Sequence, residues 1–196
     1  MTMIVPAQAH EQVTRAALEL FAANGYERTT LQMIASAAGL SGRAITGLFR
    51  TKDALLDAAL APALADLELL SEENRSVGAR PPLEGLVGFL VKHRAVIALM
   101  DRDPTVRTVP VISARMNRYC DEVRGLFDDG RADAWERVYL TAALGGLIGA
   151  AASFPEMSDE ELHRSLRLTG IRLLGRGRRT PRPAPARTTA LVSQTW

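Results

Sequence analysis

Short segments whose apolar residues keep the spacing of one helical face follow one another along the chain, and this pattern most constrains the fold. The first such segment runs from Val13 to Phe21. Asn24 and Gly25 follow it as a stop, because glycine adopts the left-handed conformation of a helix C-cap without strain. The sequence shows neither the strand pattern of alternating apolar and polar residues nor an internal repeat. We therefore predict an all-α fold.

The next two helical segments are short and are joined by Ala-Gly-Leu-Ser at residues 38–41. Gly39 permits a sharp turn, and Ser41 is a favourable N-cap for the helix that follows it. Thr29-Thr30 offers an N-cap for the helix that precedes the turn, and Thr29 and Gln32 have the spacing of a capping box. This arrangement meets the sequence requirements of a helix-turn-helix, but helical hairpins with a glycine turn are also common in all-α proteins. The turn by itself leaves both interpretations open.

Further helical segments account for the rest of the chain up to about residue 174. We predict that the fourth helix, capped by Thr51, is kinked or divided at Pro62. Ser158 and Glu161 have the spacing of a capping box at the start of the last helix. One further helix is predicted to begin at Pro82 and to run through Ile97. Three more predicted helices cover about residues 106–127, 132–154 and 158–174.

Composition excludes several classes of protein. With 47% hydrophobic and 23% charged residues, this chain of 196 residues has the composition of an ordinary globular protein. Its single cysteine, Cys120, cannot form a disulfide within the chain, as expected in a reducing compartment. The N-terminus lacks a signal-peptide pattern, and the longest uncharged run, Val138 to Pro155, is shorter than the roughly 20 apolar residues of a membrane span. We expect a cytoplasmic protein without membrane contact.

Basic residues are concentrated at the two ends of the chain. Residues 1–52 contain five basic and three acidic side chains, residues 53–174 contain 14 and 19, and residues 175–196 contain five and none. This distribution permits nucleic-acid contact at either end. Because residues 175–196 also lack a periodic apolar face, we predict that they form a flexible basic tail.

No motif in the sequence supports catalysis. A phosphate loop, a GxSxG motif and an HExxH motif are all missing, so we name no catalytic residue and no cofactor. The three histidines, His10, His93 and His163, have no ligand spacing to one another or to cysteine and carboxylate partners, so we predict no metal site. A small helical enzyme or carrier stays open as an alternative function.

A longer string gives a more specific indication. From Val13 to Leu60 the chain resembles the TetR family of bacterial transcriptional repressors in its AALELFAANGYERTT block, its IASAAGLS turn, Phe49 and Thr51-Lys52. The resemblance implies an N-terminal three-helix DNA-binding unit with a helix-turn-helix at residues 1–52. It also implies a helical ligand-binding and dimerisation body at residues 53–174.

The resemblance further implies a homodimer on a palindromic operator in double-stranded DNA. Residues at phosphate-facing positions of the family are Thr30, Ser41, Thr46 and Lys52, and candidates for base contact are Gln32, Gly42 and Arg43. These roles are physically reasonable, because helix N-termini present free N–H groups to phosphate and arginine binds guanine through two hydrogen bonds.

The helical body has two sets of candidate residues. The set that could line a cavity for an unknown small-molecule effector is Met100, Met116, Tyr119, Cys120, Phe127, Trp135 and Tyr139, with a plain core as the alternative. The set that could form a dimer interface on the last two helices is Leu144, Leu147, Ile148, Leu162, Leu166 and Ile171, with packing inside one chain as the alternative.

We therefore expect a ligand-responsive transcriptional regulator, acting as a repressor that a small molecule releases from DNA. The sequence departs from the family pattern at Thr46, where a tyrosine is usual, and at Gly47 and Leu48, where polar or aromatic residues are frequent. These departures keep open the alternative of a TetR-like protein with weakened or lost DNA binding that acts through protein partners.

Overall fold

The computed structural model of the chain describes residues 6–77, 83–125, 127 and 133–176, and these residues form nine α-helices. In chain order the helices are α1 (Pro6–Asn24), α2 (Leu31–Ala37), α3 (Gly42–Leu48), α4 (Lys52–Val77), α5 (Leu83–Lys92), α6 (Arg94–Arg102), α7 (Pro110–Gly125), α8 (Ala134–Ser153) and α9 (Asp159–Arg176). A 3₁₀ turn at Val106–Thr108 connects α6 to α7. The described residues include no strand, so the predicted all-α fold is confirmed. The predicted tail lies almost wholly outside the described residues.

The start of α2 differs from the predicted capping box. Thr30, and not Thr29, is the N-cap, and its side chain accepts a hydrogen bond from the Met33 N–H at 3.2 Å. Thr29 is fully buried instead, and its hydroxyl lies within hydrogen-bond distance of the Leu20 and Gly25 carbonyl oxygens. The capping box with Thr29 is therefore wrong, because the Thr29 hydroxyl is hydrogen-bonded to carbonyl groups at the C-terminal end of α1.

The fourth helix continues through Pro62, so of the two predicted outcomes, a kink or a division, the division is wrong. Helix α4 is assigned as one element of 26 residues with Pro62 inside it. Pro62 lies on the exposed side of the helix, where water can bond the carbonyl group that the proline leaves without its N–H partner. On the opposite side Ala59, Ala63 and Leu67 are buried, so packing holds both halves of α4 against the rest of the protein.

Two clusters of buried apolar residues organise the fold. The first contains Phe21, Ile34, Ile45 and Leu55 from the first four helices, and it continues into Leu99 near the end of α6. The second joins the C-terminal half of α4 to α5, α6, α8 and α9. Helices α4, α6 and α7 contribute to both clusters. They are therefore the elements that connect the N-terminal helices to the helical body.

Helices α5 and α9 approach each other closely at one point in the body. A Cβ atom placed on Gly170 would lie 2.4 Å from Cδ1 of Leu83, well inside van der Waals contact. The glycine therefore permits the contact between the two helices. The predicted capping box at the start of α9 is confirmed, because Ser158 Oγ accepts from the Glu161 N–H at 3.3 Å and Glu161 accepts from the Ser158 N–H at 3.1 Å.

Candidate nucleic-acid interface

Helices α2 and α3 are joined by a tight glycine turn. Gly39 has φ of +65°, and the N–H of Leu40 reaches back to the Ala35 carbonyl oxygen at 2.9 Å, which closes the C-terminal end of α2. Ser41 then caps α3 by accepting from the Ala44 N–H at 3.2 Å. The predicted helix-turn-helix is therefore present, with Gly39 at the turn and Ser41 as the N-cap of α3.

Each of the two short helices has one buried side and one exposed side. Ile34 and Ala35 of α2 and Ile45 of α3 are completely buried in the first apolar cluster. Of the predicted DNA-contacting residues, those with exposed side chains are Thr30, Gln32, Ser41, Arg43 and Thr46, whereas Gly42 and Lys52 are half-buried. Burial on one side thus fixes α3, and its other side exposes polar groups.

Thr46 is exposed but its hydroxyl group turns back onto its own helix. The Thr46 hydroxyl lies 3.1 Å from the carbonyl oxygens of both Gly42 and Arg43, so its proton is engaged within α3. The oxygen can still accept a hydrogen bond, but a phosphate offers only acceptors. A phosphate contact by Thr46, which stays a prediction, requires the hydroxyl to leave this position.

Lys52, the first residue of α4, is held at the turn between α1 and α2. Its ammonium group donates to the carbonyl oxygens of Tyr26 at 2.9 Å and Glu27 at 3.3 Å, and it lies 4.2 Å from the centre of the Tyr26 ring. An ammonium group has three N–H donors, so one remains for a phosphate. The lysine therefore fixes the N-terminal end of α4 and still carries the charge that the predicted phosphate contact needs.

Tyr26 connects this site to several parts of the protein. Its ring is 3% exposed and packs on Phe21, with the ring centres 5.2 Å apart. Its hydroxyl is hydrogen-bonded to the Asp53 carboxylate, and burial together with Asp53 raises the pKa of Tyr26. Its N–H donates to Oδ2 of Asp103 at 2.6 Å. One residue thus links α1, the start of α4 and the end of α6.

Asp103 was not identified from sequence, because nothing near it in the chain indicates a partner 77 residues away. It follows α6, and its carboxylate also accepts from the Thr105 N–H at 3.0 Å. Burial opposes ionisation of Asp103, but the hydrogen bonds from Tyr26, Thr105 and Val106 outweigh burial and lower its pKa. Beside it, Arg102 donates to the Ala152 carbonyl oxygen near the end of α8 at 2.8 Å. The end of α6 is therefore bonded both to the DNA-binding unit and to the body.

A cavity of about 380 Å³ lies at the same junction, between the C-terminal end of α1 and the end of α6. It is lined by residues 21–25, 27 and 28 on one side and by residues 98, 99, 102, 103 and 105 on the other. None of the described members of the predicted effector-binding set lines this cavity. Asp103, whose carboxylate accepts from the Tyr26 N–H, is among the residues that line it.

The predicted effector-binding residues are spread over several places in the structure. Met100 is buried in the first apolar cluster, and Phe127 packs on the second. Trp135 and Tyr139 stack in α8 with their ring centres 5.6 Å apart, and the Tyr139 hydroxyl donates to the Leu173 carbonyl oxygen. Met116, Tyr119 and Cys120 belong to α7, and their side chains lie outside the described part of the structure. The effector site remains a prediction.

Most of the residues predicted to form a dimer interface are covered within one chain. Leu144, Leu147, Leu162 and Leu166 are buried in the second apolar cluster of a single chain, and Ile148 packs partly against it. These side chains are covered before any partner arrives. Of the predicted set, Ile171 is exposed, and other exposed large apolar residues nearby are Val138 of α8, Leu168 of α9 and Phe154 directly after α8.

The remaining titratable groups do not form a metal site in the described part of the chain, where no group of three or more histidine, cysteine or acidic residues has the geometry to hold an ion. His93 is buried and lies 2.7 Å from Asp66, which also pairs with Lys92 at 2.6 Å. Hydrogen bonds from Lys92 and His93 lower the pKa of Asp66. None of the helices described is long and apolar enough to cross a bilayer.

Comparison with known proteins supports the DNA-binding assignment. Residues 13–59 match the family described as bacterial regulatory proteins, tetR family. The HTH-type transcriptional regulator TcmR of Streptomyces glaucescens is 32% identical over 117 residues, and this alignment spans half of each chain. The resemblance found in the sequence of the first helices is thereby confirmed.

Solved structures extend the likeness to the whole fold. A TetR-like transcriptional regulator from Rhodococcus sp. RHA1 has a TM-score of 0.66 at 20% identity, over 88% of this chain and 99% of that one. NalD of Pseudomonas aeruginosa, the secondary repressor of the MexAB-OprM multidrug efflux pump, has a TM-score of 0.63 at 19% identity, over 88% and 97% of the two chains. At these identities the likeness shows the fold, including the helical body.

Proposed function

We propose that this chain, whose residues 13–59 match the tetR family of bacterial regulatory proteins, is a dimeric, ligand-responsive transcriptional repressor. The observation that carries the proposal is the geometry of α3. Its buried Ile45 fixes the helix, Ser41 caps its N-terminus, and the exposed Arg43 lies in its first turn. Residues in that part of a recognition helix contact base edges in the major groove, where arginine prefers guanine.

Contacts to the phosphate backbone are assigned to groups around the two short helices. Thr30 and Ser41 occupy helix N-termini, and Lys52 contributes a positive charge that its carbonyl partners hold in place. Such contacts position the protein on the duplex without distinguishing sequences. We therefore assign sequence preference to the side chains of α2 and α3, and sequence-independent affinity to Lys52.

We assign the coupling between effector and operator to the junction at Tyr26 and Asp103. Helix α6 belongs to both apolar clusters and ends in the hydrogen bond from Tyr26 to Asp103. An effector that binds the body more tightly in one position of α6 would shift the DNA-binding unit through this bond. Because Tyr26 also contacts Lys52 and Asp53, such a shift would reach the start of α4.

We assign dimerisation to the outward faces of α8 and α9. These faces leave Val138, Leu168 and Ile171 exposed, whereas other large apolar residues of the same helices, such as Leu147 and Leu162, are buried. A second copy of the chain would bury them in a two-fold symmetric interface. On DNA, the two recognition helices of such a dimer must lie about 34 Å apart to enter successive major grooves.

The test is selection of operators from random DNA with the full-length protein, followed by fluorescence anisotropy on the enriched site and on a scrambled site at two salt concentrations. The proposal predicts a palindromic site that binds far more tightly than the scrambled one. Equal binding to both DNAs, lost with salt, would refute sequence-specific repression. It would favour instead the alternative of a TetR-like protein that acts through protein partners, which the engaged hydroxyl of Thr46 supports.

A further inference from the structure

Gly42, the first residue of α3, lies directly against the side chain of Gln32 in α2. A Cβ atom placed on Gly42 would be 2.6 Å from Oε1 of Gln32 and 3.6 Å from its Cδ. Non-bonded carbon atoms pack best at about 3.5–4.0 Å, so the carboxamide of Gln32 occupies the place that a side chain at position 42 would need. The two positions, one on each helix, therefore depend on each other.

The backbone does not explain why position 42 is a glycine. Among the described glycines only Gly25 and Gly39 have positive φ, so another residue could adopt the conformation of Gly42. Glycine also disfavours a helix relative to alanine. What the glycine provides is space, and the group that fills this space is the carboxamide of Gln32.

We propose that Gln32 is a specificity-determining residue that contacts an adenine, and that Gly42 is the positioning residue that allows it to do so. The inference rests on the proposed function, because it assumes that α3 enters the major groove. Gln32 of α2 is exposed, and its carboxamide lies against Gly42 at the N-terminal end of α3. Residues at that end of a recognition helix contact base edges. A glutamine carboxamide can donate to N7 of adenine and accept from the N6 amino group, which is its preferred base contact.

The clash caused by a side chain at position 42 falls on a flexible group. The atoms closest to a Cβ at Gly42 are the terminal atoms of Gln32, so an alanine there displaces the carboxamide and leaves the backbone of α2 and α3 in place. We therefore expect Gly42→Ala to fold normally and to lose sequence preference at the base pair that Gln32 contacts.

The experiment compares operator selection by the full-length protein with selection by Gln32→Ala, Gly42→Ala and the double variant. Gly47→Ala is the matched control, since Gly47 belongs to the same seven-residue helix but a Cβ there meets nothing within 4 Å. We expect Gln32→Ala to lose an adenine preference of about tenfold to hundredfold at one symmetric pair of positions. Gly42→Ala should lose preference at the same pair, and the double variant should lose no more than Gln32→Ala alone. Gly47→Ala should keep the preference there.

The possible failures are distinguishable. If the unmodified protein enriches no site, the proposed function is refuted and this inference with it. If it enriches a palindrome but Gln32→Ala keeps every base preference, the contact by Gln32 is refuted alone. If Gly42→Ala keeps the preference that Gln32→Ala loses, or if the losses of the two variants add in the double variant, the positioning role of Gly42 is refuted. Circular dichroism and thermal unfolding of each variant check that the differences do not come from loss of fold.

Discussion

Replacing Asp103 by alanine should destabilise the whole protein, because this carboxylate joins the DNA-binding unit to the end of α6. It accepts hydrogen bonds from the N–H groups of Tyr26 at 2.6 Å and Thr105 at 3.0 Å. Since Tyr26 is 3% exposed, its N–H would lose its partner in a place that water reaches poorly. The N–H of Thr105, in a half-buried residue, is easier for water to satisfy.

The expected magnitude follows from these two bonds. A hydrogen bond to a charged group contributes about 1.5–3 kcal/mol, and a buried N–H without a partner costs about 1–3 kcal/mol. Counting mainly the Tyr26 bond, we expect Asp103→Ala to lower the free energy of unfolding by about 2–3 kcal/mol. For a chain of this length that corresponds to a Tm lower by roughly 4–12 °C.

Urea and thermal unfolding of the full-length protein, followed by circular dichroism at pH 7, measure this loss. Asp101→Ala is the matched control, because Asp101 is an exposed carboxylate two residues away in the last turn of α6, where substitutions usually change stability by less than about 0.5 kcal/mol. Equal unfolding free energies for the two variants would refute the reasoning that Asp103 holds the two parts together. The same variants in the anisotropy assay test coupling, since only Asp103→Ala should change the response of operator binding to an effector.

Three further predictions concern pH, packing and assembly. The pKa of Asp103 is lowered from its ordinary value of 3.8 in the folded protein, so the ionised carboxylate contributes fully to stability above that pH and loses this contribution as the pH falls below it. The difference in unfolding free energy between wild type and Asp103→Ala should therefore shrink below about pH 4. Gly170→Ala should lower the unfolding free energy by about 1–3 kcal/mol, as its Cβ would overlap Leu83, whereas Gly146→Ala in α8, where a Cβ meets nothing within 4 Å, should not destabilise the protein. Ile171→Glu should shift sedimentation equilibrium towards monomer. Because Ile171 is 46% exposed in the single chain, the Tm should fall by no more than the loss of the dimer explains. An unchanged dimer would exclude this face as the dimer interface.

Local signals predicted the helix-turn-helix well. Gly39 and Ser41 act on the residues beside them, and their roles as C-terminal turn and N-cap depend on the backbone alone. The capping box at Ser158 and Glu161 was found for the same reason. The error at Thr29 came from packing, since its hydroxyl is used by the end of α1, and neighbouring Thr30 was free to cap α2.

Contacts between distant segments could not be predicted in this way. An apolar periodicity shows that a helix face is covered but not what covers it. For Leu144 and Leu162 the sequence therefore left open a partner chain or packing inside one chain, and in the structure they pack inside one chain. The bond from Tyr26 to Asp103 joins residues 77 positions apart, and no local pattern marks it. The contact of Gly42 with Gln32 likewise depends on the angle that the turn gives to α2 and α3.

The central claim, that α3 recognises a DNA sequence, is tested most directly by measuring the affinity of Arg43→Ala for the enriched operator and for its scramble, with Lys52→Ala alongside. The account predicts that Arg43→Ala lowers the ratio of the two affinities by about tenfold to hundredfold, because a bidentate contact with guanine discriminates between bases. Lys52→Ala should weaken binding to both DNAs alike and reduce the dependence on salt. A ratio that Arg43→Ala leaves unchanged would contradict the claim that this helix recognises the operator.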